Sequence, residues 1–324
     1  MTRLKLKTDL QKRLFHHVDT IAHPTGRLPG TREHETARTY IIQQLREMGV
    51  TPLDGQYEHP YHWEKENFIN VAGVLGDPAA AAPIMLVSHY DTCGPQPGAD
   101  DNGAAISVNL EVARILAERG TDQPVLFLFP DGEEPPYFLS PQMGSTRFYV
   151  DQLQHTLRAS VVLDLIGHDL DLPEREDSLL IFGIESHGDW VDVLNAAPSP
   201  TRLNIYGLQA AYIGDMSDYH ILRQHGEPYL FLTCGRWEHY HEITDTPDRL
   251  NYARLERTVA YMVNLIAAIE ENLGAANWER DTTDYELATL RRLAGPFLDQ
   301  VGLKLESRSD ISVAISRFHR NFDL

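Results

Sequence analysis

His89 and Asp91 stand in the stretch SHYDT, and Asp101 follows in GADDNG. Downstream come Glu133 and Glu134 in DGEE, Asp164 in VVLDLIG and His241 in HYHEITDTPD. Two imidazoles and three carboxylates of ligand type, with two further carboxylates beside them, suit a divalent cation of hard to borderline character such as zinc. Two ions can share such a set. Any one of these motifs alone reads as an ordinary turn or a solvated acid. An aspartate late in an apolar run such as VVLDLI is different, because burying it is costly unless it is paired or bound to metal.

The elements that must carry these residues alternate between two periodicities. Leu10, Leu14, Val18 and Ile21 recur at helical spacing and predict a helix over about 8–22. Ala37, Ile41, Leu45 and Met48 predict a second, with Thr31 as N-cap and Gly49 as its stop. Ile106, Leu110, Ala113 and Ala117 predict a helix beginning just after Asn102. NFINVAGVLG, PIMLVSH, VLFLFP, VVLDLI, LLIFGI and YLFLT read as buried strands. The expected fold is therefore α/β, a three-layer sandwich with a central mixed, mostly parallel sheet between helices. His89 ends one strand, the Glu133–Glu134 pair follows another, Asp164 lies late in a third and His241 follows a fourth. Sites in open α/β sheets form beyond the carboxyl ends of the strands, and four segments converge on that edge.

Composition excludes some partners. Lys and Arg total 28 against 47 Asp and Glu, a formal net charge of −19, which argues against nucleic acid and anionic membrane. The N-terminal stretch lacks an apolar core of the secretory kind, and no apolar run is long enough to span a bilayer. Cys93 and Cys234 show no metal-type pair spacing and read as free thiols. A cytoplasmic location is the expectation from these features.

Taken in order, His-x-Asp, Gly-Ala-Asp-Asp-Asn-Gly, Asp-Gly-Glu-Glu, Leu-Asp-Leu-Ile-Gly and Tyr-His-x3-Asp-Thr-x-Asp resemble the co-catalytic dizinc aminopeptidases, a family related to glutaminyl cyclases and glutamate carboxypeptidases. The resemblance runs over roughly residues 10–270. It implies a zinc-exopeptidase-like fold and two divalent ions, zinc foremost. His89 and Asp164 would hold one ion, Glu134 and His241 the other, and Asp101 would bridge them. Asp91 would orient the imidazole of His89. Glu133 would act as general base on a metal-bridging water, and Tyr240 would donate to the developing oxyanion. The bond Asp101–Asn102 would be a cis peptide. The implied activity is hydrolysis of the N-terminal peptide bond of short peptides that carry a free N-terminus.

The chain departs from that pattern in the segment PPYFLSPQ after Glu134, where Pro135 and Pro136 are expected to stiffen the loop and Tyr137 and Phe138 to wall the pocket. No large domain interrupts the fold, so an open site is expected. Three functional readings follow. The first is the dizinc aminopeptidase. The second is a glutaminyl cyclase-like aminoacyltransferase with a single zinc, suggested by LDLIG and the long loop. The third is a receptor-like relative without activity, disfavoured because the ligand set and Glu133 are all present. Asp218, in SDYHILRQHGEP, is expected to line the pocket or hold its loop. Residues 1–275 are expected to form the catalytic domain. Residues 276–324, charged and amphipathic, are expected to form a helical extension packed on that domain or on a partner chain, which leaves a homo-oligomer open.

Overall fold

The protein is described by a computed structural model covering residues 5–170, 175–300 and 302–322. Its strands are β1 (Thr51–Pro52), β2 (Glu58–Trp63), β3 (Glu66–Leu75), β4 (Ile84–Val87), β5 (Val125–Phe129), β6 (Ala159–Leu163), β7 (Ser178–Phe182), β8 (Asn204–Leu208) and β9 (Tyr229–Thr233). They form one sheet in the order β1-β3-β5-β4-β6-β9-β7-β8, with β2 paired to β3. The central run β5-β4-β6-β9 is parallel throughout. Antiparallel pairings appear outside it, where β3 meets β5 and β7 meets β9.

The helices are α1 (Asp9–Ile21), α2 (Arg32–Glu47), α3 (Ala105–Arg119), α4 (Gly144–Arg147), α5 (Trp190–Ala196), α6 (His220–His225), α7 (Tyr252–Asn272), α8 (Thr283–Gln300) and α9 (Arg308–Phe322). They cover both faces of the sheet, so the three-layer α/β architecture expected from the sequence is the one observed. Period-two alternation splits each central strand between the layers. Ile84 and Leu86 of β4 face the core shared with α1, α2, α3, α5 and α7. Met85 and Val87 face the opposite core, to which α6, α8 and α9 contribute. Because both faces are buried, the central strands are continuous apolar runs, which made them readable from sequence.

Local chemistry sets the helix starts. The Thr8 and Thr31 hydroxyls accept the backbone N–H of Gln11 and His34, satisfying otherwise orphaned donors at the first turns of α1 and α2. Gly49, at φ 78°, follows α2 in the left-handed region where glycine is favoured. Three strands went unread, among them β1, which is only two residues long. β2 carries Pro60 and alternates buried and exposed residues at the sheet margin, and β8 contains Gly207 and is buried mainly at its C-terminal end. One boundary also differs from expectation. β6 ends at Leu163, so Asp164 is the first residue beyond the strand, where its carboxylate can turn away from the apolar layers.

Candidate metal centre

Each predicted ligand leaves a strand end or a turn just beyond it. His89 lies two residues past β4, Glu133 and Glu134 follow β5, and Asp164 follows β6. His241 lies in the loop after β9, at φ 58°. Asp101 comes from an irregular wide turn, Ala99–Ala104, that leads into α3. Within that turn Asp101 and Asn102 have non-helical dihedrals, and the peptide bond between them is cis, as the resemblance implied.

The structure brings the ligand-type residues together. Asp101 lies between the two imidazoles, with Oδ1 3.3 Å from His89 Nε2 and Oδ2 3.1 Å from His241 Nε2. Glu134 Oε2 is 3.1 Å from the same His241 nitrogen. Asp164 Oδ1 is 3.7 Å from His89 Nε2 and Glu133 Oε2 is 3.8 Å from it, so distance alone does not separate these two carboxylates. Asp91 Oδ1 is 3.4 Å from His89 Nδ1. The two Asp91 oxygens also accept the backbone N–H groups of Glu133 and Glu134, at 3.2 and 3.1 Å. One carboxylate thereby ties the His89 segment to the Glu133–Glu134 segment. Tyr240 stacks its ring on that of His241 with centroids 3.8 Å apart, and the Arg236 guanidinium lies over the Tyr240 ring.

Several supporting residues had no role in the sequence reading. Asp245 accepts the backbone N–H groups of Asp100 and Asp101, while Arg27, fully buried, donates to the Asp101 carbonyl. The turn is thus held from both ends of the Asp101 residue. Asn102 donates its side-chain amide to the Leu163 carbonyl, fixing the turn against the end of β6. Asp100 accepts from Gly167 N–H and pairs with His168 Nδ1 at 2.5 Å. A Cβ at Gly167 would stand 2.6 Å from Asp100 Oδ1, so that approach requires glycine. Asp245 lies in the quoted HYHEITDTPD motif, so the signal was present. Nothing in GRLPGT marks Arg27 as buried.

The electrostatics favour a cation. Burial drives the Glu133 carboxyl well above its usual range, with Asp218, Asp164 and Glu134 adding to the shift against the pull of His89. Burial, with Asp101 beside it, pushes Glu134 up to about 7. Asp218, 1 % exposed, is also pushed up by burial, to about 7, against the pull of His89 and of the Ser145 hydroxyl. Burial would lower His89, but Glu133, Asp101, Asp164 and Asp91 carry it well above its ordinary value. Burial likewise opposes a charged His241, which Asp101, Cys93 and Glu134 raise to about 12. Too many buried carboxylates share too little positive charge, a condition a multivalent cation relieves. Among the described residues, His89 Nε2, Glu134 Oε1, Asp164 Oδ1 and His241 Nε2 are buried atoms that make no well-aligned hydrogen bond, so the donors fit such an ion.

Beside this cluster lies an apolar cavity of about 150 Å³. Pro135, Phe138, Leu165, Leu180, Phe182, Ile213, Met216 and Phe231 line it, and Asp101, Glu133, Glu134, Asp164 and Tyr240 border it. Phe138 thus walls the pocket as expected, and Pro135 joins it there. Tyr137 is a correction: it is absent from the lining and packs edge-on against Phe68, because the loop turns its ring toward the β2–β3 hairpin.

Fold and site together define an α/β protein with a buried imidazole–carboxylate metal centre at the carboxyl edge of its sheet. The profile of peptidase family M28 matches residues 70–266, and the chain belongs to that family. Over 219 residues it is 28% identical to the uncharacterized protein YfbL of Escherichia coli (strain K12), covering 58% of this chain and 68% of the relative. It is 36% identical over 112 residues to the aminopeptidase YwaD of Bacillus subtilis (strain 168), covering 33% of this chain but 23% of that one. Two solved structures share the fold, each at TM-score 0.65 and covering 79% of this chain and 97% of the other. One is a Zn-dependent exopeptidase from Parabacteroides distasonis at 16% identity. The other is a glutaminyl cyclase from Bacteroides thetaiotaomicron at 18%. Among the described residues, no helix is long and apolar enough to cross a membrane.

Proposed function

We propose that this chain is a dizinc aminopeptidase that removes an apolar N-terminal residue from short peptides. The observation that carries the reading is the position of Asp101, with one oxygen toward each histidine and a further carboxylate beside each. His89, Asp164 and Asp101 would hold one zinc ion, and His241, Glu134 and Asp101 the other. Zinc in such a pair supplies an activated water at neutral pH and polarises the scissile carbonyl. Glu133 is the residue left to handle protons. Its raised proton affinity suits a base that takes the proton of the water and passes it to the leaving amine. Tyr240, which borders the cavity, would donate to the oxyanion. The apolar cavity would take the first side chain of the substrate, while the carboxylates at its border attract the α-ammonium group. The resemblance to YwaD supports the same reading.

Glu133→Gln tests it. The variant should retain zinc and lose about 10²–10⁴-fold in kcat on leucyl-nitroanilide. Unchanged turnover would remove Glu133 from the mechanism. The second reading is a single-zinc glutaminyl cyclase, favoured by the likeness to that structure and by Phe138 at the pocket wall. Metal analysis separates the two: two tightly bound ions per chain support the peptidase. One ion, with cyclisation of a glutaminyl peptide, supports the cyclase.

A further inference from the structure

Cys93 lies in the loop between β4 and the turn that bears Asp101 and is partly buried. Its Sγ, a carboxylate oxygen of Glu134 and a ring nitrogen of His241 all lie within 4.8 Å of one another. Glu134 is 4% exposed, and its Oε1 is buried without a hydrogen-bond partner. His241 Nε2 makes no well-aligned hydrogen bond, although it lies 3.1 Å from Asp101 Oδ2 and Glu134 Oε2. The side-chain amide of Gln96, itself 4% exposed, donates to Cys93 Sγ at 2.8 Å. An N–H directed at sulfur stabilises electron density there and fixes the direction of the thiol. Cys234 offers a contrast, because its buried Sγ lies 3.6 Å from the Ser178 carbonyl and, among the described residues, it joins no group of candidate metal ligands.

We propose that Cys93 is a ligand to the cation held by Asp101, Glu134 and His241. The inference rests on the metallopeptidase reading above. On metal uptake the Cys93 S–H bond breaks, its proton passes to solvent, and the thiolate lone pair forms the metal–sulfur bond. The two metal positions are then chemically unlike. Around His89 and Asp164 the donors are nitrogen and oxygen. Around His241 a thiolate joins them, which softens the site and favours zinc or cobalt over magnesium or manganese. The ion beside Cys93 is therefore the more tightly held of the two.

Cobalt(II) titration of the full chain, followed by absorbance, tests this. The wild type and Cys234→Ser should develop a near-ultraviolet thiolate-to-cobalt charge-transfer band, and Cys93→Ser should not. In chelator competition Cys93→Ser should release one of its two zinc ions about 100-fold more readily. X-ray absorption at the zinc edge of the wild type should show a sulfur neighbour at about 2.3 Å, a readout that needs no variant. Uptake of two cobalt ions without the band, or a band that survives Cys93→Ser, would overturn the assignment and leave the dizinc reading intact. A wild type that takes up no cobalt would overturn both.

Discussion

Replacing Arg27 with methionine should loosen the loop that carries Asp91 and Asp101. The guanidinium is fully buried and has four carbonyl partners. Nε donates to Tyr90 and Nη1 to Pro97, both at 2.7 Å, and Nη2 reaches Gly98 and Asp101, both at 3.2 Å. A hydrogen bond from a charged donor contributes about 1.5–3 kcal/mol, so the two short ones together contribute about 3–6 kcal/mol. Against this stands the desolvation of a buried cation, on the order of several kcal/mol, which methionine removes. Methionine, however, leaves buried carbonyls facing an apolar chain, at about 1–3 kcal/mol for each one that cannot find water. The net expectation is a loss of about 3 kcal/mol. Asp101, Asp245, Asp91 and Glu134 all bear on the same cation, so the loss should be larger in metal-free protein than in zinc-loaded protein. Urea midpoints of both forms measure this. Arg27→Lys keeps the charge but not the planar fork, and should fall between wild type and Arg27→Met. If Arg27→Met stays within about 0.5 kcal/mol of wild type, the clamp is not what holds the loop.

Other outcomes follow from the same contacts. Asp91→Ala removes the partner of His89 and both acceptors for the Glu133 and Glu134 amides, so affinity for both ions should drop about 10–100-fold in chelator competition. Equal affinities would show that the strand ends position themselves. Glu111, buried between α1 and α3, accepts from Arg13 and Arg114 and lies 3.3 Å from His17. Despite its burial, these partners lower it from 4.5 to about 2. A folded-state value below the unfolded one stabilises the protein above about pH 4.5, and that stabilisation is lost as pH falls toward 2. The gap in thermal midpoint between wild type and Glu111→Gln should therefore be widest near neutral pH and close on acidification, and a gap that does not depend on pH would contradict this. Phe138→Ala opens the pocket wall and should raise KM for leucyl substrates about tenfold with little effect on alanyl ones. An equal change for both would move substrate recognition elsewhere.

The sequence showed its ligands because they break local rules. An aspartate at the end of VVL and a histidine after IMLVS have no packing explanation, and the apolar runs before them could only be strands covered on both faces. The residues that hold the ligands follow the rules and were invisible for that reason. Arg27 sits in a Gly- and Pro-containing turn that reads as solvated, and only the fold brings it under the Asp101 carbonyl. Asp245 shares a motif with His241, yet its carboxylate serves backbone amides far away in the chain. The same blindness to long-range contacts misplaced Tyr137, whose partner Phe68 belongs to the hairpin that includes the unread β2. Asp218 stands between the two classes. From the sequence it is expected to line the pocket or hold its loop, and it is absent from the cavity lining. In the fold it is a buried carboxylate, and its charge raises the proton affinity of Glu133. Glu133, the proposed base, is therefore tuned by residues from different strand ends, so its properties depend on the whole carboxyl edge of the sheet and not on the DGEE motif that contains it.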